Sequence, residues 1–126
     1  MFRRSTAPTD TPATAPEADI ATVSEATFLD DTAGEVALID FWAPWCAPCR
    51  AFAPIFRGVA AERSRTGFRF GSCNVDDNPE TAALLGSQTI PTVVAFDAAG
   101  NELARIVGVP SRRDLDALVE KAEGAR

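Results

Sequence analysis

Cys46 and Cys49 stand three residues apart in the run Phe41-Trp42-Ala43-Pro44-Trp45-Cys46-Ala47-Pro48-Cys49-Arg50. Two thiols at this spacing on a helix can close a disulfide across one turn and open it again. The attacking species in such chemistry is a thiolate, and a free cysteine with a pKa of about 8.5 is mostly protonated at neutral pH. If Cys46 opens a helix, the unpaired N–H groups of the first turn and the positive end of the dipole favour its anion. The dipole alone contributes about 0.3–1 kcal/mol when exposed, which is under one pKa unit at about 1.36 kcal/mol per unit. Hydrogen bonds from the first-turn amides and from the Cys49 thiol must supply the rest.

The spacing also separates the roles. Cys49 lies one turn deeper on the same helix face, shielded from outside partners, so Cys46 is read as the nucleophile and Cys49 as the resolving thiol. Cys46 attacks a substrate disulfide, a mixed disulfide forms, and Cys49 then attacks Cys46 to release reduced substrate. Cys49 must lose a proton in that second step. Asp40 lies near the end of the strand that delivers Cys46, and burial should raise its pKa toward neutrality, which suits it to accept that proton. Trp45 is read as exposed rim that shields the thiolate and touches substrate, although Trp42 and Trp45 could both be core. Cys73 is read as a buried small hydrophobe rather than a redox partner.

Composition narrows the alternatives. The chain has 126 residues, 46% hydrophobic, which suits one globular domain with a self-sufficient core. A formal charge of -6 speaks against nucleic acid or an anionic membrane as a partner, since both would need a basic face. There is no histidine, so neither a Ser-His or Cys-His pair nor an imidazole metal ligand can be built. Half of a zinc site would need two more ligands, and Cys73 on a strand leaves the set short. Three cysteines are too few and too unevenly spaced for a secreted disulfide framework. Arg3-Arg4 is followed by no apolar run of signal length, and no segment is long enough to span a membrane. The expectation is a soluble, cytoplasmic monomer.

The elements that must position the thiols are legible in the patterning. Residues 1–19 are Thr, Ala and Pro with a few charges, a composition expected to stay disordered. A domain over residues 20–122 follows, with 123–126 as a tail. Ile20–Val23 is extended, and Ser24 caps a short helix carrying Phe28 and Leu29 inward. Val36 to Trp42 is apolar on both faces apart from Asp40, the pattern of a central, doubly covered strand. From Cys46, the residues Cys49, Phe52, Ala53, Phe56, Val59 and Ala60 mark the buried face of a helix ending near Ser64 or Gly67, kinked at Pro54. Pro48 fits early in it, where its missing N–H would have no intrahelical partner.

Phe68 to Val75 alternates as a strand, Asn78-Pro79 opens a brief helix closed by Gly86, and Val93 to Phe96 is another buried strand. Ala98-Ala99-Gly100-Asn101 turns a hairpin into Glu102–Val107. Ser111-Arg112-Arg113-Asp114 opens a last helix with Leu115, Leu118 and Val119 on one face. The fold class is therefore α/β, a mixed parallel and antiparallel sheet with helices on both faces, and ligands belong at the carboxyl ends of its parallel strands, where the cysteines lie. Composition alone would make the Ile90-Pro91 bond trans.

Taken together, Trp45-Cys46-Ala47-Pro48-Cys49-Arg50, the buried acid Asp40, the helix proline Pro54 and Thr89-Ile90-Pro91-Thr92 resemble the thioredoxin family over residues 20 to 122. The resemblance implies the thioredoxin fold and a cis Ile90-Pro91 bond facing the disulfide, with the Ile90 backbone pairing to extended substrate. It extends a substrate-contacting role to Ala47, Pro91 and Gly108 and a potential-tuning role to Pro48. It implies no bound cofactor, with electrons arriving from NADPH through a flavoprotein thioredoxin reductase. The implied clients are of the ribonucleotide reductase, peroxiredoxin or methionine sulfoxide reductase types.

Phe41 to Ser64 is especially similar to the second bacterial thioredoxin type, whose zinc-binding N-terminal segment carries extra cysteine pairs; residues 1–45 here contain no cysteine. Ala47 replaces the usual Gly, which stiffens the loop and bears on potential and client fit. Ser72 stands where the family often has a lysine beside the buried acid, so Asp40 should be harder to ionise. The leading function is protein-disulfide reduction. Two alternatives are a binding subunit or chaperone on the same scaffold without turnover, and an oxidant or isomerase in an exported compartment.

Overall fold

A computed structural model of the chain describes residues 20–22, 34–63, 68–84, 86 and 89–125. The elements in chain order are β1 (Ile20–Thr22), β2 (Val36–Trp42), α1 (Ala47–Arg63), β3 (Phe68–Asn74), α2 (Pro79–Leu84), β4 (Thr92–Phe96), β5 (Glu102–Val107) and α3 (Arg112–Glu123). The expected helix after Ser24, the N-terminal segment 1–19 and the end of the long helix at Ser64 or Gly67 lie outside the described residues.

The strands form one sheet in the order β1-β3-β2-β4-β5. β3 runs parallel to both β1 and β2, as the α1 crossover between β2 and β3 requires. β4 runs antiparallel to β2, and β5 antiparallel to β4 through the turn at Gly100, whose φ of 89° suits a residue without Cβ. β2 is thus central, with neighbours on both sides. Its first six residues are buried, which accounts for its apolar run on both faces.

Strand alternation sorts those residues. Val36 and Leu38 of β2, Phe68 and Phe70 of β3 and Val93 and Ala95 of β4 share one buried cluster with Phe52, Phe56, Val59 and Ala60 of α1 and Leu115, Leu118, Val119 and Ala122 of α3. Ala37, Ile39, Phe41, Cys73, Val94 and Phe96 form a second cluster on the opposite face. Fully burying a phenylalanine or leucine contributes about 1.5–3 kcal/mol, so α1 is held on the sheet chiefly by Phe52 and Phe56. Phe56 meets Phe70 edge-on with ring centroids 5.8 Å apart.

α1 continues as one helix through Pro54, and Ala53, expected on its buried face, is only half-buried. At the start of α3 the Ser111 hydroxyl accepts the Asp114 N–H at 3.0 Å, the N-cap expected there. Arg112 reaches Glu62 near the end of α1 at 2.6 Å, but both side chains are at least half exposed and such a pair adds about 0–1 kcal/mol. Among the described residues no helix is long and apolar enough to cross a membrane.

Candidate active site

β2 ends at Trp42, and four residues later the chain enters α1. The Cys46 carbonyl accepts the first helical hydrogen bond, from Arg50 N–H at 3.1 Å, which makes Cys46 the N-cap residue. Its sulfur does what a capping serine oxygen does, accepting the Cys49 N–H at 3.2 Å. Between them Pro48 fills the second helical position and contributes no N–H. Cys46 and Cys49 are joined as a disulfide, their Cα atoms 5.2 Å apart.

The expected contrast in exposure is small. Cys46 is 5% exposed and Cys49 2%, both packed with Ala43 and against Trp42, Val75 and Ile90. What distinguishes the two sulfurs in this oxidised state is the helix cap, since the Cys49 amide points at Cys46 Sγ.

The loop before Cys46 is braced from three sides. Cys46 N–H donates to Ala43 O at 3.1 Å, and the Arg50 guanidinium reaches back to Pro44 O at 2.8 Å. The Trp45 indole N–H donates to Asp76 Oδ1 at 3.1 Å, which fixes the ring while leaving it 67% exposed, in keeping with a rim position. Asp76 is in turn seated by Asn74, whose Oδ1 accepts the Asp76 N–H at 2.9 Å. Sequence reasoning missed Asp76. The only local signal was an Asn with a carboxylate two residues on, which marks a turn and says nothing of a tryptophan 31 positions away.

Asp40 falls on the β2 face that carries Val36 and Leu38, the face that α1 covers with Phe52, Phe56, Val59 and Ala60. It is 4% exposed, and its Oδ1 has no hydrogen-bond partner. Removing water from the carboxylate penalises its charged form, and its pKa is pushed up from 3.8 to about 7. Its register neighbours are Ser72 on β3 and Val93 on β4, neither of which brings a cation. A Ser72→Lys variant should therefore have a lower Asp40 pKa than the natural chain. Carboxyl titration by NMR measures it, and identical titration curves would remove Ser72 from the account.

The third component is the loop into β4. The Ile90-Pro91 bond is cis, against the trans form that composition alone suggested and in keeping with the resemblance. The Ile90 carbonyl oxygen lies 3.8 Å from Cys46 Sγ. Gly108, with φ of 87°, donates its N–H to Pro91 O at 2.9 Å, and a Cβ there would meet no atom within 4 Å, so its backbone conformation is what favours glycine. The flanking Val107 and Val109 are 59% and 50% exposed, so apolar surface surrounds this loop as it does at Trp45. Ala47 and Pro48 are exposed beside the disulfide. Cys73 is fully buried in the cluster on the opposite sheet face from Val36, Leu38 and Asp40, as a small hydrophobe would be.

The arrangement is a capped sulfur in a disulfide, a protonatable carboxylate on the covered face of the adjacent strand, and an apolar rim with a carbonyl facing the sulfur. Comparison with known proteins identifies similar chains. The family model described as Thioredoxin matches residues 19–121. A thioredoxin of Listeria monocytogenes is 34% identical over 99 residues, covering 79% of this chain and 94% of that protein. One of Mycobacterium tuberculosis is 38% identical over 95 residues, covering 74% and 80% respectively. Among solved structures, a thioredoxin of Malassezia sympodialis superposes with a TM-score of 0.73 at 28% identity, covering 82% of this chain and 90% of that one.

Proposed function

The chain belongs to the thioredoxin family, has the thioredoxin fold and is a thiol–disulfide oxidoreductase that reduces protein disulfides through Cys46 and Cys49, and from that premise we propose how its residues divide the reaction. Cys46 is the nucleophile. The observation that carries this is the Cys49 amide on Cys46 Sγ, because a donor fixed at the helix N-terminus stabilises negative charge on that sulfur more than on its neighbour. Cys46 thiolate attacks one sulfur of the substrate disulfide; a Cys46–substrate bond forms, the substrate S–S bond breaks, and the departing sulfur leaves as thiolate and takes a proton. Cys49, having given its proton to Asp40, attacks Cys46 Sγ and expels the second substrate sulfur. That second sulfur leaves as thiolate and takes the proton held by Asp40, so two electrons have passed from the pair to the substrate and the Cys46–Cys49 disulfide is left.

Asp40 suits the acceptor role because a carboxylate with a pKa near 7 can take and return a proton at neutral pH. Trp45, Ala47, Ile90 and Gly108 form the surface that receives the client, with Pro91 buried behind it and the Ile90 backbone pairing to an extended segment, and Pro48 tunes the potential through the helix start. Residues 20–122 act as one domain, and the protein works as a cytoplasmic monomer without a resident cofactor. Disulfide-bearing proteins are its substrates and a thioredoxin reductase its source of electrons, drawn from NADPH through a flavin. Ribonucleotide reductase, peroxiredoxin and methionine sulfoxide reductase are the client types proposed. Neither nucleic acid nor membrane is among its partners, in line with a net charge of -6.

Insulin reduction with dithiothreitol as donor tests the reading. Wild-type protein should accelerate precipitation of the reduced chains and Cys46→Ser should not; equal rates would leave a binding module in its place. Turnover supported by NADPH and a thioredoxin reductase tests the electron source.

A further inference from the structure

The Ile90 carbonyl faces Cys46 from the loop Thr89 to Thr92, and two of that loop's hydrogen bonds tie it to the sheet and to Gly108. One is the Gly108 N–H to Pro91 O at 2.9 Å. The other comes from the Thr92 side chain, whose hydroxyl donates to Thr89 O at 2.5 Å across the Ile90-Pro91 bond. Thr92 has no exposed surface and is the first residue of β4, in register with Phe41 of β2 and Val107 of β5, so it is fixed to the middle of the sheet. Thr89 is exposed, and its carbonyl could be satisfied by water.

A fully buried position at a strand start is filled equally well by valine, which has the same shape, the same β-preference and no hydroxyl to satisfy; the next two residues, Val93 and Val94, are valines. Threonine here ties a solvent-side carbonyl to the sheet, and what lies between the two ends of that tie is Ile90. We propose that Thr92 is a positioning residue for protein substrates: by closing the Thr89–Thr92 loop, its hydroxyl holds the Ile90 backbone at the distance from Cys46 where an extended client segment pairs while its disulfide meets the thiolate. The proposal rests on the reading of Ile90 as the client's backbone partner. Its effect is confined to substrates with a peptide backbone, because a small aromatic disulfide has nothing to pair with Ile90 and reacts at Cys46 alone.

The test uses the full chain, dithiothreitol as donor and three probes: a peptide disulfide, the same peptide N-methylated beside its cysteine so that it cannot donate to a carbonyl, and 5,5′-dithiobis(2-nitrobenzoic acid). Wild type should favour the unmethylated peptide by about fivefold in KM, the scale of one hydrogen bond. Thr92→Val should lose that preference through a rise of similar size in KM for the unmethylated peptide, with its rate on the small disulfide unchanged, and Thr92→Ser should keep the wild-type preference. The Ser variant keeps the test decisive if the Val variant does not fold. A Val variant that retains the preference, a Ser variant that loses it, or an equal loss on the small disulfide would overturn the proposal. A wild type that handles both peptides alike would instead refute the pairing at Ile90, and the proposal with it.

Discussion

Replacing Cys49 by Ser should stop turnover after its first half and leave the chain covalently attached to its substrate. The reason is the asymmetry of the pair. Cys46 Sγ sits at the N-cap of α1 with the Cys49 N–H on it at 3.2 Å, and that donor belongs to the backbone, so it survives the substitution. The thiolate remains stabilised and attacks, but the serine hydroxyl cannot attack Cys46 Sγ in turn, because an alcohol with a pKa far above that of a thiol is not ionised at neutral pH and an S–O bond is no product of this exchange. Incubated with an oxidised client, Cys49→Ser should show an adduct of the combined mass on a non-reducing gel that dithiothreitol dissolves. Multiple-turnover activity should fall by about 10³-fold or more, the scale of losing an essential covalent group. Cys46→Ser should show the same loss of turnover and no adduct. Adducts of equal yield from both variants would mean that either thiol can lead, and that the cap does not decide the order of attack.

The second large effect belongs to Asp40, and it has opposite signs in catalysis and in stability. Asp40→Asn removes the proton acceptor for Cys49, and general base catalysis by a positioned group is worth about 10²-fold or more. Release of substrate from the mixed disulfide should slow by that order, and the rise in that rate as pH passes through about 7 should disappear. For stability, burial has raised the folded-state pKa from 3.8 to about 7. Between these values the folded chain keeps a proton that the unfolded chain gives up, so stability declines as pH rises through that window and is lowest above it. Asparagine, which carries no charge to desolvate, should match wild type below about pH 4 and exceed it by up to about 4 kcal/mol above pH 7. Denaturant unfolding at several pH values measures the difference. A gap that does not widen with pH would show that Asp40 is not held protonated by burial.

That Asp40 can be read both ways follows from where its information lies. The chain shows one carboxylate in a run of apolar residues, and period-two alternation assigns it to the face of Val36 and Leu38, which is enough to expect burial beneath the helix of Cys49. How far its pKa moves depends on how fully its neighbours exclude water and on whether they bring a cation. That is set by Ser72 and Val93, which are 32 and 53 positions away in sequence and adjacent only through β-pairing. The Trp45–Asp76 and Thr92–Thr89 contacts divide in the same way. An exposed tryptophan beside Cys46 was legible from its place in the motif, while its partner was not; the hydroxyl of Thr92 reads in sequence as β-propensity and becomes a loop tie only once β4 is docked between β2 and β5.

By itself the sequence determined the thiol pair, its place at a strand–helix junction and the helix that caps Cys46, because those depend on separations of three and four residues and on apolar periodicity, which the chain states locally. Tertiary structure decided what confronts the pair: the Ile90 carbonyl 3.8 Å from Cys46 Sγ and an Asp40 Oδ1 left without a hydrogen-bond partner. Desolvation and contacts between distant strands are properties of the packed sheet, and no window of neighbouring residues contains them.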